Sequence, residues 1–346
     1  MMSMSRQMTV VILAGLALGL AVAVTFPVAQ AQTVNLLCSV EPEHCEALAQ
    51  SYSAETGVNV EWLRMSTAEA LARLRAEASA PLFDVWYGGT GDPHLIASRD
   101  GLTEVVRPAA WDDILPGLRS AVGDFYIPAY VNPVALIINE GILEERGAPV
   151  PRSWEDLTDP ALTGLIGMPD PNTSGTGYSV IATLVQIYGE DEAFDLLGRI
   201  HQNIAEYTRS GSAPATMTAR GELGVAIGFM GMGLRSANEG YPVTIIVPED
   251  GVGMEIGGLS LVKNAPNPDA ARDLLEWLIT PDAQAIGAQV GSFQVPSNMN
   301  TPMDPNVPDL DTINLIDYDF EHYGQTEVRQ ELIGYWTNNI YPIPRR

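Results

Sequence analysis

Short apolar runs alternate along this chain with longer stretches whose apolar residues recur every three or four positions. The first kind reads as buried strand and the second as amphipathic helix. Residues 34–37 form a first strand. Residues 42–56 form a helix that Gly57 closes as a C-terminal cap. Residues 58–65 alternate as a second strand. Ser66 and Thr67 then cap a helix over 68–79, with Glu69 placed for a capping box. Residues 83–87 are a short apolar strand, and Gly88-Gly89-Thr90-Gly91 opens the next helix. Strand–helix units of this length favour parallel pairing and right-handed crossovers in a layered α/β fold.

The apolar stretch YIPAYVNPVALII at 126–138 reads as a crossover into a second lobe. A second block follows, with strand 165–168, helices 176–188 and 190–202, a strand at 205–208, helix 214–220 and strand 225–229. VTIIV at 243–247 reads as the return to the first lobe, followed by helices 270–278 and 281–290. Residues 295–310, rich in Pro and Asp, are a connecting loop, and 327–339 are a final helix. The expected organisation is lobe 1 from 32–125 and 243–305, lobe 2 from 126–242, and a C-terminal segment, 306–346, packing on lobe 2. The chain has no internal repeats and no low-complexity tract.

The N-terminus changes the picture of where the chain works. VVILAGLALGLAVAV at 10–24 is uncharged, follows Arg6, and precedes Ala29-Gln30-Ala31. That is the pattern of a secretory signal peptide over 1–31 with a periplasmic mature chain, because the run is short for a membrane span and ends in small residues. No Cys lies near the cut to carry a lipid anchor. The only cysteines, Cys38 and Cys45, fall at the end of the first strand and in the first turn of the next helix, and export favours a disulfide between them. With 18 basic and 43 acidic residues the formal net charge is −25, which excludes nucleic acid and anionic membranes as natural partners.

Four loops run from a strand's carboxyl end into a helix N-terminus: 38–42, 65–67, 88–92 and 172–177. Such loops line the crevice of open α/β sheets, and helix N-termini suit anions. Ser39, Ser66, Thr67, Thr90, Thr173, Ser174 and Thr176 add hydroxyls there. Gly89-Thr90-Gly91 lacks the third glycine of a dinucleotide fingerprint, and Ser174-Gly175-Thr176-Gly177 lacks the Lys of a phosphate-binding loop. No nucleophile elbow is present, and no carboxylate pair stands out as acid and base. No catalytic residue, metal ligand or cofactor is therefore expected. His44, His94, His201 and His322 are scattered, and a surface or helix-capping place is expected for each.

LCSVEPEHC at 37–45, ALARLRAE at 70–77, DVWYGGTGDPHL at 84–95, SGTGYS at 174–179, SGSAPA at 210–215 and EIGGLSLVKNAPNPDAA at 255–271 resemble the ferric-binding-like branch of type 2 periplasmic binding proteins. The resemblance runs over nearly all of the mature chain. It implies an α/β two-lobed type 2 periplasmic binding protein fold with a hinged interlobe cleft. It also implies a monomeric receptor that delivers its solute to an ABC transporter permease in the inner membrane. Ferric carriers of the branch supply a tandem Tyr pair from the second lobe and a His and a Glu from the first. The matching stretches here, Ala226-Ile227-Gly228-Phe229-Met230-Gly231-Met232-Gly233, Gly88-Gly89-Thr90 and Val40-Glu41, contain no Tyr, no acid and no His in those places. Sugar-phosphate relatives often place His-Asp where this chain has Gly231-Met232, and a Glu where it has Glu255.

The resemblance and the capping loops together imply a small anionic organic solute with a phosphate, phosphonate or carboxylate head. The alternative they leave is ferric iron or another metal complex. The expected site is Ser39, Ser66, Thr67 and Thr90 from the first lobe, and Ser174, Gly175 and Thr176 from the second. Glu255 is expected to accept hydrogen bonds from the solute. Arg64 and Arg209 lie close by in sequence and could offset an anion's charge, while Phe229, Met230 and Met232 would make the opposite wall apolar.

Overall fold

A computed structural model describes residues 32–345; the expected signal peptide at 1–31 lies outside the described residues. The strands are β1 (Thr33–Cys38), β2 (Asn59–Arg64), β3 (Val85–Tyr87), β4 (Thr103–Glu104), β5 (Ile127–Ile138), β6 (Ile166–Pro169), β7 (Ile204–Thr208), β8 (Val225–Phe229), β9 (Thr244–Ile246), β10 (Met254–Val262) and β11 (Val295–Pro296). Their spatial order is β2-β1-β3-β10-β5-β8-β6-β7. β1, β2 and β3 are parallel, as are β6, β7 and β8. Each set of three feeds helices that cover the sheet, so the inner strands β3, β6 and β8 are short, apolar and fully buried, whereas the edge strands β2 and β7 keep exposed polar positions.

β5 joins the two sets. All 12 of its residues are buried, which is why the run shows no alternation in sequence. Residues 127–133 pair antiparallel with β10, and residues 134–138 pair antiparallel with β8. The exchange of partners falls at Pro133, which has no N–H to give to a ladder. The core divides at the same place. Val34, Leu36, Val85, Ile256 and Leu274 belong to one buried cluster, whereas Val134, Leu136, Ile166, Ile181 and Val225 belong to another. Leu332, Trp336 and Ile340 from the C-terminal helix Thr326–Tyr335 and the turn after it join the second cluster.

The return to the first set of strands differs from the expectation. Residues 244–246 stay with the second set, pairing with residues 136–138 of β5. β10 makes the return, pairing with β3 on one side and β5 on the other. Its strand pattern is masked by Gly257 and Gly258. A Cβ on Gly257 would stand 2.3 Å from the Tyr130 ring, and one on Gly258 2.3 Å from the His94 ring. Both positions give up a side chain so that an aromatic ring can lie flat on the strand.

The histidines are a second correction. His44, His94 and His201 are buried, and only His322 faces solvent. His94 stacks on Trp86 at 3.7 Å between centroids. Its partners assign the tautomer: Nε2–H donates to the Gly88 carbonyl at 3.0 Å, and Nδ1 accepts from the Ser260 hydroxyl at 2.8 Å. His201 is held between the Tyr207 hydroxyl and the Ile343 carbonyl. Neither ring nitrogen of His44 has a hydrogen-bond partner.

Cys38 and Cys45 form the expected disulfide, with Cα atoms 6.1 Å apart. It ties the end of β1 to the first turn of helix Pro42–Thr56, fixing the direction in which that helix leaves the sheet. The enclosed loop is short, so Cys38→Ser with Cys45→Ser is expected to lower unfolding free energy by about 2 kcal/mol, the low end of the usual range. Denaturant midpoints of the double variant against the parent measure this. Unchanged midpoints would mean the bond adds nothing to stability.

Candidate functional site

Six strand-to-helix turns meet at one place. β1 leads to helix Pro42–Thr56, β2 to Thr67–Ala76, β3 to Gly91–Arg99, β6 to Gly175–Tyr188, β7 to Ala213–Ala219 and β8 to Met230–Asn238. The residues that cap these helices are Glu41, Ser66, Thr90, Ser174, Ser212 and Phe229, and all six line one cavity of about 30 Å³. Three come from each half of the fold. First-turn N–H groups of a helix have no intrahelical acceptor and carry partial positive charge. Here six such ends face each other around a space that belongs to neither half alone.

The expected site residues are brought together. Ser39, Ser66, Thr67, Thr90, Ser174, Thr176 and Glu255 all line the cavity. Gly175 is not in the lining; it marks where the halves touch, since a Cβ there would lie 2.0 Å from Thr90 Oγ1. Within each half the packing is as close: a Cβ on Gly89 would lie 2.2 Å from Thr67 Oγ1, and one on Gly211 2.3 Å from Thr176 Oγ1. Thr90 Oγ1 is buried without a hydrogen-bond partner. Such a group costs free energy unless something supplies the missing bond.

Two expected roles need correcting in their proton direction. The Ser66 hydroxyl donates to Glu69 Oε2 at 2.7 Å. The serine side chain caps no backbone N–H, and it offers lone pairs to the cavity. Ser39 is the opposite case, accepting from the Trp86 indole N–H at 3.0 Å and keeping its proton to give. Glu255 is buried, which pushes its pKa well above the usual carboxylate range; the charge of Glu41 adds to this, and the Asn132 side chain opposes it. A carboxyl held protonated donates one hydrogen bond as well as accepting others. The two arginines separate as well. Arg64 lines the cavity, with Nε donating to the Val40 carbonyl, whereas Arg209 lies off it and pairs with Glu69. Phe229 and Met232 do form an apolar wall, but Met230 is not part of it.

Sequence reading missed Glu41, Tyr130, Gly211, Ser212 and Gln294 in the lining. Tyr130 is in the crossover stretch, where an apolar run hides its role. Its hydroxyl accepts the Gly89 N–H at 2.7 Å and keeps a proton for the cavity, and burial raises its pKa further. Ser212 had a usable signal, since it stands between a strand and a helix as the other capping hydroxyls do. Among the described residues, no group of three or more His, Cys, Asp or Glu side chains is placed to hold a metal ion.

A sequence profile of the family described as bacterial extracellular solute-binding protein matches residues 92–321. The chain belongs to this family. An uncharacterized protein of Haemophilus influenzae is 34% identical over 308 residues, covering 88% of this chain and 89% of that one. Among solved structures, the periplasmic binding protein AfuA of Actinobacillus pleuropneumoniae, with exogenous fructose-6-phosphate bound, superposes with a TM-score of 0.88. It is 35% identical, and the match covers 91% of this chain and all of that one. Iron-bound HitA of Pseudomonas aeruginosa superposes with a TM-score of 0.75 at 19% identity, over 88% and 98% of the two chains, and shows the fold alone. The fold is thus the two-lobed type 2 periplasmic binding protein fold, and the cavity is its interlobe cleft. Solute-binding proteins of this kind are not enzymes; those of ABC importers bring small solutes to inner-membrane permeases.

Proposed function

We propose that this solute-binding protein is exported to the periplasm by cleavage after residue 31. There, as a monomer, it captures a small organic solute with a phosphate, phosphonate or carboxylate head. It hands the solute to an ABC permease, and nucleic acid plays no part. One observation carries the choice of an anionic head: six helix N-termini, three from each lobe, converge on a single cavity. Partial positive charge and N–H donors from six directions suit an anion. The fructose-6-phosphate bound to AfuA, 35% identical, supports a phosphorylated solute.

In this reading Ser39, Thr67, Thr90, Ser174 and Thr176 give hydroxyl protons to the head, and the N–H groups of Gly175 and its neighbours add backbone donors. Glu255 and Tyr130 face the remainder of the solute with a carboxyl and a phenol. Lobe 1 runs from residue 32 through the part of β5 that pairs with β10, and takes up again with β10 and helices Pro268–Leu278 and Pro281–Gln289. Lobe 2 lies between, with the C-terminal segment packed on it. The lobes hinge where β5 and β10 cross.

A thermal-shift screen of phosphorylated metabolites, phosphonates, carboxylates and ferric citrate identifies the solute, since a ligand at 100 times its Kd stabilises by about 2.7 kcal/mol. Calorimetry then tests the site. Thr67→Ala, Thr90→Ala and Thr176→Ala are each expected to bind about 10- to 100-fold more weakly, the loss of one charge-assisted hydrogen bond. If all three stay folded and bind as the parent does, these hydroxyls do not touch the solute. Stabilisation by ferric citrate and by no anion-headed solute would favour the metal reading instead.

A further inference from the structure

Three ion pairs among the described residues cross from lobe to lobe: Glu43 with Arg235 at 3.0 Å, Glu69 with Arg209, and Asp92 with Arg329. They share a pattern. Each acid stands in the first turn of a first-lobe helix whose capping residue lines the cavity. Each arginine comes from the second lobe: Arg235 from helix Met230–Asn238, Arg209 from the loop after β7, Arg329 from helix Thr326–Tyr335. The second-lobe helices that point at the cavity have no acid in their first turns.

A first-turn carboxylate suits a helix dipole, but beside an anion site it repels the ligand. In the closed structure each of the three is answered by a guanidinium. Arg235 holds Glu43 below the usual carboxylate range through a direct hydrogen bond. Asp92 and Arg329 are nearly buried, and the Arg329 guanidinium lies over the Tyr178 ring at 4.4 Å. Separating the lobes would carry all three arginines away and leave Glu43, Glu69 and Asp92 uncompensated near the anion site, along with Glu41.

We propose that these pairs form a charge clasp in which closing the cleft cancels three negative charges around the bound anion and opening it restores them. Affinity for an anion is then high only while the lobes are shut. Prising them apart weakens binding by repulsion as well as by lost contacts, which is what delivery to a permease requires. The clasp holds the lobes whatever the solute; its effect on affinity rests on the anionic reading above.

Two measurements test it. In solution scattering without added solute, Arg209→Gln with Arg235→Gln is expected to give a larger radius of gyration than the parent. Adding 0.5 M salt should expand the parent in the same direction, because rim pairs are screened. A parent already as open as the double variant, or a variant as compact as the parent, overturns the clasp. Arg329→Gln with Asp92→Asn examines the buried pair without stranding a charge, and the same two outcomes apply.

The second measurement is calorimetry with inorganic phosphate as the probe. Arg235→Gln alone should bind about 3- to 10-fold more weakly, because Glu43 is left bare. Adding Glu43→Gln should recover most of that loss, although the ion pair stays broken. A double variant as weak as the single one overturns the electrostatic coupling. A parent that does not bind phosphate counts against the anionic reading, and the scattering result then judges the clasp by itself.

Discussion

Gly175→Ala is expected to weaken solute binding about 5- to 150-fold while leaving thermal unfolding without solute nearly unchanged. The new methyl would lie 2.0 Å from Thr90 Oγ1, 2.9 Å from its Cγ2 and 3.0 Å from its Cβ. Thr90 is branched at Cβ and stiff at χ1, and its Cβ stays at 3.0 Å whatever the rotamer. An overlap of this kind costs about 1–3 kcal/mol in a packed interior, and about 1.4 kcal/mol is tenfold in affinity. The cost falls on closure rather than on folding. Gly175 and Thr90 belong to different lobes, and the lobes can separate at this contact with both cores intact. Alanine is also acceptable at the first position of helix Gly175–Tyr188. Calorimetry paired with thermal unfolding measures both halves of the expectation. If the variant binds as tightly as the parent, the bound protein does not close to this contact.

Acid is expected to destabilise the protein steeply between pH 6.5 and 4, chiefly through two buried histidines. Burial lowers the pKa of His44 to about 4 and that of His94 to about 3, the latter against the opposing bond to the Gly88 carbonyl. Both titrate near 6.5 when unfolded. The folded state therefore binds fewer protons than the unfolded state in this window, and stability falls as pH falls. Each histidine contributes fully above 6.5 and loses its contribution on the way down to its folded pKa. For His44 the shift from 6.5 to about 4 corresponds to about 3 to 4 kcal/mol at about 1.4 kcal/mol per unit. His44→Leu removes a ring with two unpartnered nitrogens, so the variant should lose roughly half of the acid slope. Glu255 acts in the opposite sense. Its raised pKa means that its contribution is full below 4.5 and is lost as pH rises, so Glu255→Gln should make the acid loss steeper. Denaturant unfolding from pH 4 to 8 checks both. A His44→Leu variant with the parent's pH slope would show that His44 is solvated in solution.

The hydroxyls that line the cavity were legible in the sequence for a local reason. A strand end, a hydroxyl and a helix start are neighbours in sequence, so Ser39, Ser66, Thr67, Thr90, Ser174 and Thr176 could be recognised from adjacent residues. Their convergence follows from parallel strands, which place every strand-to-helix turn at the same edge of the sheet. Helix Met230–Asn238 was missed because Gly231 and Gly233 weaken the helical signal. A Cβ at Gly233 would lie 2.6 Å from Ile137, a contact no local pattern announces.

The order of strands and helices through residue 99, the disulfide between Cys38 and Cys45, the excess of acid and the capping hydroxyls were all determined by the sequence itself, because each depends on residues close together in the chain. Tertiary structure alone decided the rest. It put β10 beside both β3 and β5, buried His44 and His94, and raised the pKa of Glu255. It also set Arg209, Arg235 and Arg329 against acids 140 to 237 residues away. Burial and partnership are properties of what surrounds a side chain, and for these residues the surroundings come from distant parts of the chain.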